Sequence, residues 1–173
     1  MRGIFILRGA PASGKSTWIK ENNLGPYTIS ADSIRLLFQT PSLDLNGNLV
    51  ISQDIDYKVW RTLFRILEEK MSRGEFIAID ATHYKKSLLM QYNSLLKEYR
   101  YRPYIIDFTD VPKEELYKRN RERPPISRVP EKVIDKMTSF FNSENLQDPI
   151  SKRFKILKPK EAIKLLHKDL IID

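Results

Sequence analysis

An α/β fold, with a parallel sheet flanked by helices, is what this 173-residue sequence predicts. Two observations carry the expectation. Short apolar runs suited to buried strands alternate with stretches whose apolar residues recur every three or four positions, the order that builds helical crossovers over a parallel sheet. The first apolar run is followed at once by a glycine-rich turn, Gly9-Ala10-Pro11-Ala12-Ser13-Gly14, and then by a helix-forming segment.

Taken in order, Ile4 to Leu7 forms a buried strand, and the helix after the turn begins near Lys15 with Thr17, Trp18 and Ile19. A short strand around Tyr27 to Ile29 precedes a helix from Asp32 to Phe38, in which Ile34, Leu37 and Phe38 fall at helical spacing. Pro41 to Ser52 is rich in turn formers, including Asn46-Gly47, and predicts a surface loop. Ile55, Val59, Leu63 and Leu67 recur every four residues in the next helix, which Ser72-Arg73-Gly74 stops. Phe76 to Ile79 is a strand ending at Asp80; Leu88, Leu89, Tyr92, Leu95 and Leu96 mark one helix, and Tyr104 to Phe108 another strand. Pro112 opens a helix running through Leu116 to Arg123, and Pro124-Pro125 interrupts it because proline cannot continue the backbone ladder. Pro130 opens a helix with Val133, Ile134, Met137, Phe140 and Phe141 on one face. Phe154 to Leu157 is a last short strand, before an amphipathic helix containing Ile163 and Leu166.

A chain of this length suits one domain over residues 1–173, and 41% hydrophobic with 30% charged residues is a composition that folds. Without cysteine there are no disulfides or thiolate ligands, and His83 and His167 alone do not make an ordinary zinc site, so any catalytic metal is expected to be an oxygen-ligated cation such as magnesium. Arg8 and Gly9 break the first apolar run, which excludes it as a signal peptide or membrane span; a reducing, cytoplasmic location is the default expectation. The net charge of +8 favours attraction to polyanions, nucleic acid above all, although a basic protein that is merely soluble carries the same balance. The closing run Leu170-Ile171-Ile172 before Asp173 resembles the start of a strand, whether one that completes the sheet or one that leads into a longer protein.

Gly9 to Ser16 satisfies glycine, any four residues, then Gly-Lys-Ser, directly after a strand and before a helix, which predicts a P-loop NTPase or kinase fold. Over Gly9 to Thr17, backbone N–H groups would cradle the phosphates of ATP or another nucleoside triphosphate. Lys15 would reach the β- and γ-phosphates and Ser16 would ligate Mg2+. Transfer to an alcohol also needs a base and positive charge around the moving phosphoryl group. Asp32 lies just beyond the second strand with Arg35 one helical turn later; the pair faces the cleft, or Asp32 is only a helix cap. Asp80 ends its strand where a carboxylate binds magnesium through water, orients a neighbouring group as part of the substrate-binding set with Asp32 and Arg35, or simply caps a turn; His83, close behind, approaches the cleft or is incidental to the turn. Arg119 and Arg123 stand four apart, on one predicted helical face, before the proline-marked loop bearing Arg128. They form either an arginine-bearing lid that grips phosphates or a solvated charged face.

The set Gly9 to Trp18, Asp32 with Arg35, Asp80-Ala81-Thr82, and Lys118-Arg119-Asn120 with Arg123 resembles the phage and bacterial 5′-hydroxyl polynucleotide kinases over most of the chain. That resemblance implies ATP-dependent phosphorylation of 5′-hydroxyl RNA or DNA ends in RNA repair. Asp32 would be the general base, Arg35 would hold the acceptor-side phosphate, and Arg119 and Arg123 would cover the donor phosphates. Asp80 matches a family aspartate, but the asparagine that usually follows it is replaced here by His83. Bacterial relatives are often fused to phosphatase and ligase-like domains, which would here lie beyond Asp173; no phosphatase motif is visible, so only kinase activity is carried over. Two other readings share the P-loop: a kinase for a small hydroxyl metabolite such as a sugar acid or adenylylsulfate, and a nucleotide-dependent binding switch.

Overall fold

The computed structural model describes residues 2–44, 47–52, 54–143 and 153–166. Strand β1, Gly3–Arg8, is buried along its whole length and forms the centre of a five-stranded sheet. Its neighbours are β5 (Ile77–Asp80) on one side and β6 (Arg102–Asp107) on the other; β2 (Thr28–Ser30) and β7 (Lys155–Leu157) close the edges. Every pairing is parallel. A parallel sheet needs crossovers that cover both faces, so its strands are apolar on both sides.

Strand alternation divides the core. Ile4 and Ile6 of β1, Ile77 and Ile79 of β5 and Ile105 of β6 pack against α2 (Ala31–Phe38) and α3 (Asp56–Ser72), together with α4 (Lys86–Met90) and α5 (Asn93–Glu98). Val59, Leu63, Leu67 and Met71 form the buried stripe of α3. Phe5, Leu7, Ala78, Tyr104 and Ile106 face the other way, onto Trp18 and Ile19 of α1 (Lys15–Glu21) and Ala162 of α8 (Pro159–Leu165). Each fully buried aliphatic side chain is worth about 2 kcal/mol. A third cluster, Ala10, Leu116 and Ile134, joins the glycine-rich turn to α6 (Lys113–Glu122) and α7 (Glu131–Ser143).

The predicted α/β architecture is therefore observed. Two local expectations are corrected. The segment from Leu88 to Leu96 is two short helices, α4 and α5, separated at Gln91 and Tyr92. The Pro41 to Ser52 loop contains a small antiparallel hairpin of β3 (Ser42–Leu43) and β4 (Leu49–Val50), whose turn is closed by Asn48 N–H donating to Asp44 Oδ1 at 2.8 Å. Asn46, His167 and the run Leu170-Ile171-Ile172 with Asp173 lie outside the described residues.

Candidate functional site

The C-terminal ends of β1, β2 and β5 open on one cleft, where ligands of open parallel sheets sit. After β1 the chain turns through Gly9 to Gly14. A β-carbon on Gly9 would stand 2.6 Å from Ser13 Oγ and 2.9 Å from Phe108 Cβ, so no other residue fits. Gly14 has φ 99° and launches α1 from a left-handed conformation. Ala12 holds φ 65°, at a cost of about 1 kcal/mol for a residue with a β-carbon.

Lys15 is buried, with its ammonium donating to the carbonyls of Gly9 and Ala10, each at 2.8 Å, and to Ser13 Oγ at 3.3 Å. Burial lowers its pKa to about 8; the fields of Asp80 and Asp32 oppose that shift and Arg123 reinforces it. Ser16 is exposed and donates its hydroxyl to Asp80 Oδ2 at 2.7 Å. Two hard oxygens meeting beside the phosphate loop fit a magnesium ion, which keeps water and phosphate oxygens for its remaining positions. Among the described residues no cluster of three or more acidic or histidine ligands exists.

Across the cleft, β2 ends at Ser30, whose hydroxyl accepts from the Ser33 N–H at 3.3 Å and caps α2. The cap is therefore Ser30 rather than Asp32, whose carboxylate remains 71% exposed. One turn later Arg35 is only 5% exposed. Its guanidinium spans Asp32 Oδ1 at 2.5 Å and Asp56 Oδ1, which accepts from Nη2 at 2.5 Å and Nε at 3.1 Å. Three of its five N–H bonds are thus engaged. The sequence reading missed Asp56: the contact spans 21 residues, and no periodicity relates the two positions.

The two arginines expected to form a lid do not share a helical face. Arg119 lies on α6, its guanidinium held by Glu115 Oε1 at 2.7 Å and standing 3.9 Å from a β-carbon placed on Gly14. Arg123 follows the helix end with extended backbone, φ −69° and ψ 154°, because Pro124 disfavours the helical region for the residue before it. The side chain of Arg123 is partly buried; burial lowers its pKa, against the opposing fields of Asp32 and Asp80. It therefore belongs to the same charged cleft as Lys15. Buried Asn120 ties α6 to the loop that follows it, donating to Val129 O at 2.8 Å and accepting from Val129 N–H at 3.1 Å. Arg128 adds a hydrogen bond to Arg123 O at 2.7 Å.

His83 has a structural place. Fully buried at φ 45°, its Nδ1 donates to Leu7 O at 2.7 Å, which leaves Nε2 to accept from the Tyr92 hydroxyl at 2.8 Å. With Gly9 N–H donating to Thr82 O at 3.1 Å, this stitches the turn after Asp80 to the phosphate loop. Burial depresses its pKa to about 4, against the Leu7 hydrogen bond, so the ring is neutral near pH 7. The unfolded chain binds the proton at its ordinary pKa near 6.5 and the folded chain does not, so stability falls as pH drops through that window. Between pH 7 and pH 5 this costs about 2 kcal/mol. Denaturant titrations at both pH values should show the loss in the wild type and a smaller one in His83→Gln; equal losses would rule out His83 as its source.

An AAA domain family model matches residues 4–143, and the chain belongs to this family. Among solved structures, the Pnkp1/Rnl/Hen1 RNA repair complex contains a chain 24% identical, covering 82% of this chain at a TM-score of 0.67. This chain spans only 44% of that one. A candidate kinase from Chloroflexus aurantiacus j-10-fl is 14% identical with a TM-score of 0.65, covering 98% of both chains. A sugar kinase from Janibacter sp. HTCC2649 is 16% identical with a TM-score of 0.58, over 96% of this chain and 94% of its own. No curated protein matches the chain. The fold is thus the P-loop fold shared by an RNA repair protein and small-molecule kinases. No helix among the described residues is long and apolar enough to cross a membrane.

Proposed function

We propose that residues 1–173 form one kinase domain that transfers the γ-phosphate of ATP to the 5′-hydroxyl of RNA or DNA ends. The observation that carries the reading is the carboxylate of Asp32, exposed to the cleft yet tied to Arg35. It lies close enough to Lys15 for its charge to alter the lysine's proton affinity. A base for an acceptor hydroxyl and a cation for the donor phosphate thus share one cleft. The likeness to a chain of an RNA repair complex and the net charge of +8 support a polynucleotide acceptor.

In this mechanism Gly9 to Thr17 cradles the triphosphate through backbone N–H groups, and Lys15 moves its donors from the Gly9 and Ala10 carbonyls to phosphate oxygens. Ser16 and Asp80 would hold Mg2+, which when bound neutralises phosphate charge. Asp32 accepts the proton of the 5′-hydroxyl as its oxygen bonds to the γ-phosphorus and the bond to the β-phosphate oxygen breaks. Arg119 and Arg123 hold the equatorial oxygens. The two N–H bonds that Arg35 has left are offered to the acceptor's 3′-side phosphate.

Near full-length likeness to a sugar kinase favours a second reading, a small hydroxyl metabolite as acceptor. Labelled ATP with a panel of acceptors separates the two. A nucleoside 3′-phosphate should exceed the matching nucleoside in kcat/KM by about 10- to 100-fold, the worth of one charge-assisted contact. Transfer to sugars or sugar acids with none to 5′-hydroxyl nucleotides would establish the second reading instead.

A further inference from the structure

Outside the cleft, α3 carries a feature that the kinase chemistry leaves unused. Tyr57, Arg61 and Arg65 recur every four residues, with Lys58 beside them, and all four side chains are exposed. Their direction is fixed by packing, since Val59, Leu63, Leu67 and Met71 hold the opposite side of the helix in the core. Tyr57 is 75% exposed, and the Arg61 guanidinium lies over its ring at 5.6 Å. An exposed surface helix usually balances its cations with carboxylates one turn away. Here Lys58 and Arg65 have no carboxylate partner among the described residues. Farther along the helix the pattern changes: Arg73 is held by Glu69 and Glu75, and Glu68 meets the Tyr99 hydroxyl. The unbalanced stretch therefore covers only the first three turns.

Its starting point matters. Tyr57 directly follows Asp56, whose carboxylate holds Arg35 and, through it, Asp32. The stripe begins at the acceptor side of the cleft and leads away from it, advancing about 6 Å for each four residues. An accessible aromatic face followed by cations at regular steps is the chemistry that binds a single strand, by base stacking and phosphate neutralisation without sequence readout.

We propose that this stripe is the track for a single-stranded acceptor beyond its first nucleotide: Tyr57 stacks a base, and Arg61, Arg65 and Lys58 take the phosphates that follow. The assignment rests on the polynucleotide reading of the cleft. It predicts that acceptor KM falls as a 5′-hydroxyl oligoribonucleotide is lengthened from dinucleotide to decamer. Tyr57→Ala should raise KM for the longer acceptors by about 5- to 150-fold, the range for losing one stacked base. Tyr57→Phe should restore it. Arg61→Ala with Arg65→Ala should reduce the salt slope of oligonucleotide binding by roughly 1.4. In all three proteins kcat and the use of a nucleoside 3′-phosphate should remain at the wild-type level. A wild-type KM independent of length, alanine variants with unaltered KM and salt slope, or a parallel loss on the nucleoside 3′-phosphate would each overturn the track alone. Absence of transfer from the wild type to any oligonucleotide would overturn the polynucleotide reading and the track with it.

Discussion

Lys15→Ala is expected to lower phosphoryl transfer by about 10²- to 10³-fold, since the substitution removes a donor aimed at charge that develops on the transferring group. The folded state should tolerate it. Lys15 is a buried ammonium whose solvation is supplied by the carbonyls of Gly9 and Ala10, and its pKa near 8 records what desolvation costs the charged form. Alanine removes that penalty, so the thermal midpoint at pH 7 should not fall. The same shift gives a pH signature. Bound triphosphate favours the protonated amine, so nucleotide affinity in the wild type should decline as pH rises through about 8, whereas the weak residual affinity of Lys15→Ala should be flat there. Calorimetric titration with ATP between pH 7 and pH 9.5, beside turnover measurements, checks both. Normal turnover in Lys15→Ala would remove the phosphate-loop assignment; a flat wild-type profile would remove the role of the buried ammonium.

Legibility from the sequence followed the range of the interactions. Strand β1, the glycine turn and α1 are adjacent, and each glycine there answers a local demand: a close approach to Ser13 Oγ at Gly9 and a left-handed φ at Gly14. The strands show as continuous apolar runs because both faces of the parallel sheet are covered, and the α3 stripe follows a period near four that a single helix imposes on itself. Asp32 and Arg35 were legible as neighbours because one helical turn separates them. Asp56 was not, since the fold alone brings it to Arg35. His83 offers the same lesson, for its partner Leu7 O lies 76 residues away, and a lone histidine in a turn carries no sign of burial. The break between α4 and α5 escaped because Leu89, Tyr92 and Leu96 all face the core across it, which preserves the apolar spacing. Arg123 is a different kind of miss: Pro124 already disfavours a helical conformation for it, and that local rule outweighs its four-residue spacing from Arg119.

Asp32→Asn is expected to reduce kcat on a 5′-hydroxyl oligonucleotide by about 10²- to 10⁴-fold, the usual contribution of a positioned general base, with ATP affinity nearly unchanged. Asparagine keeps the shape and one oxygen toward Arg35 but takes no proton. The guanidinium stays compensated, because Asp56 still accepts from its Nη2 and Nε, so the loss should not come from unfolding. Asp56→Asn is the matched control. It weakens the same buried cation from the other side, at a cost to stability of about 1–3 kcal/mol for charge-assisted hydrogen bonds. It leaves the Asp32 carboxylate in place. Its kcat should therefore fall far less than that of Asp32→Asn, and any change should track acceptor KM through the altered set of Arg35. Steady-state kinetics with varied acceptor at saturating ATP, beside ATP binding and denaturant titrations of both proteins, separates the roles. If Asp32→Asn kept wild-type kcat, the proton would have to leave by another route; if the two variants lost kcat equally, the ion-pair network rather than a base at Asp32 would be what the reaction requires.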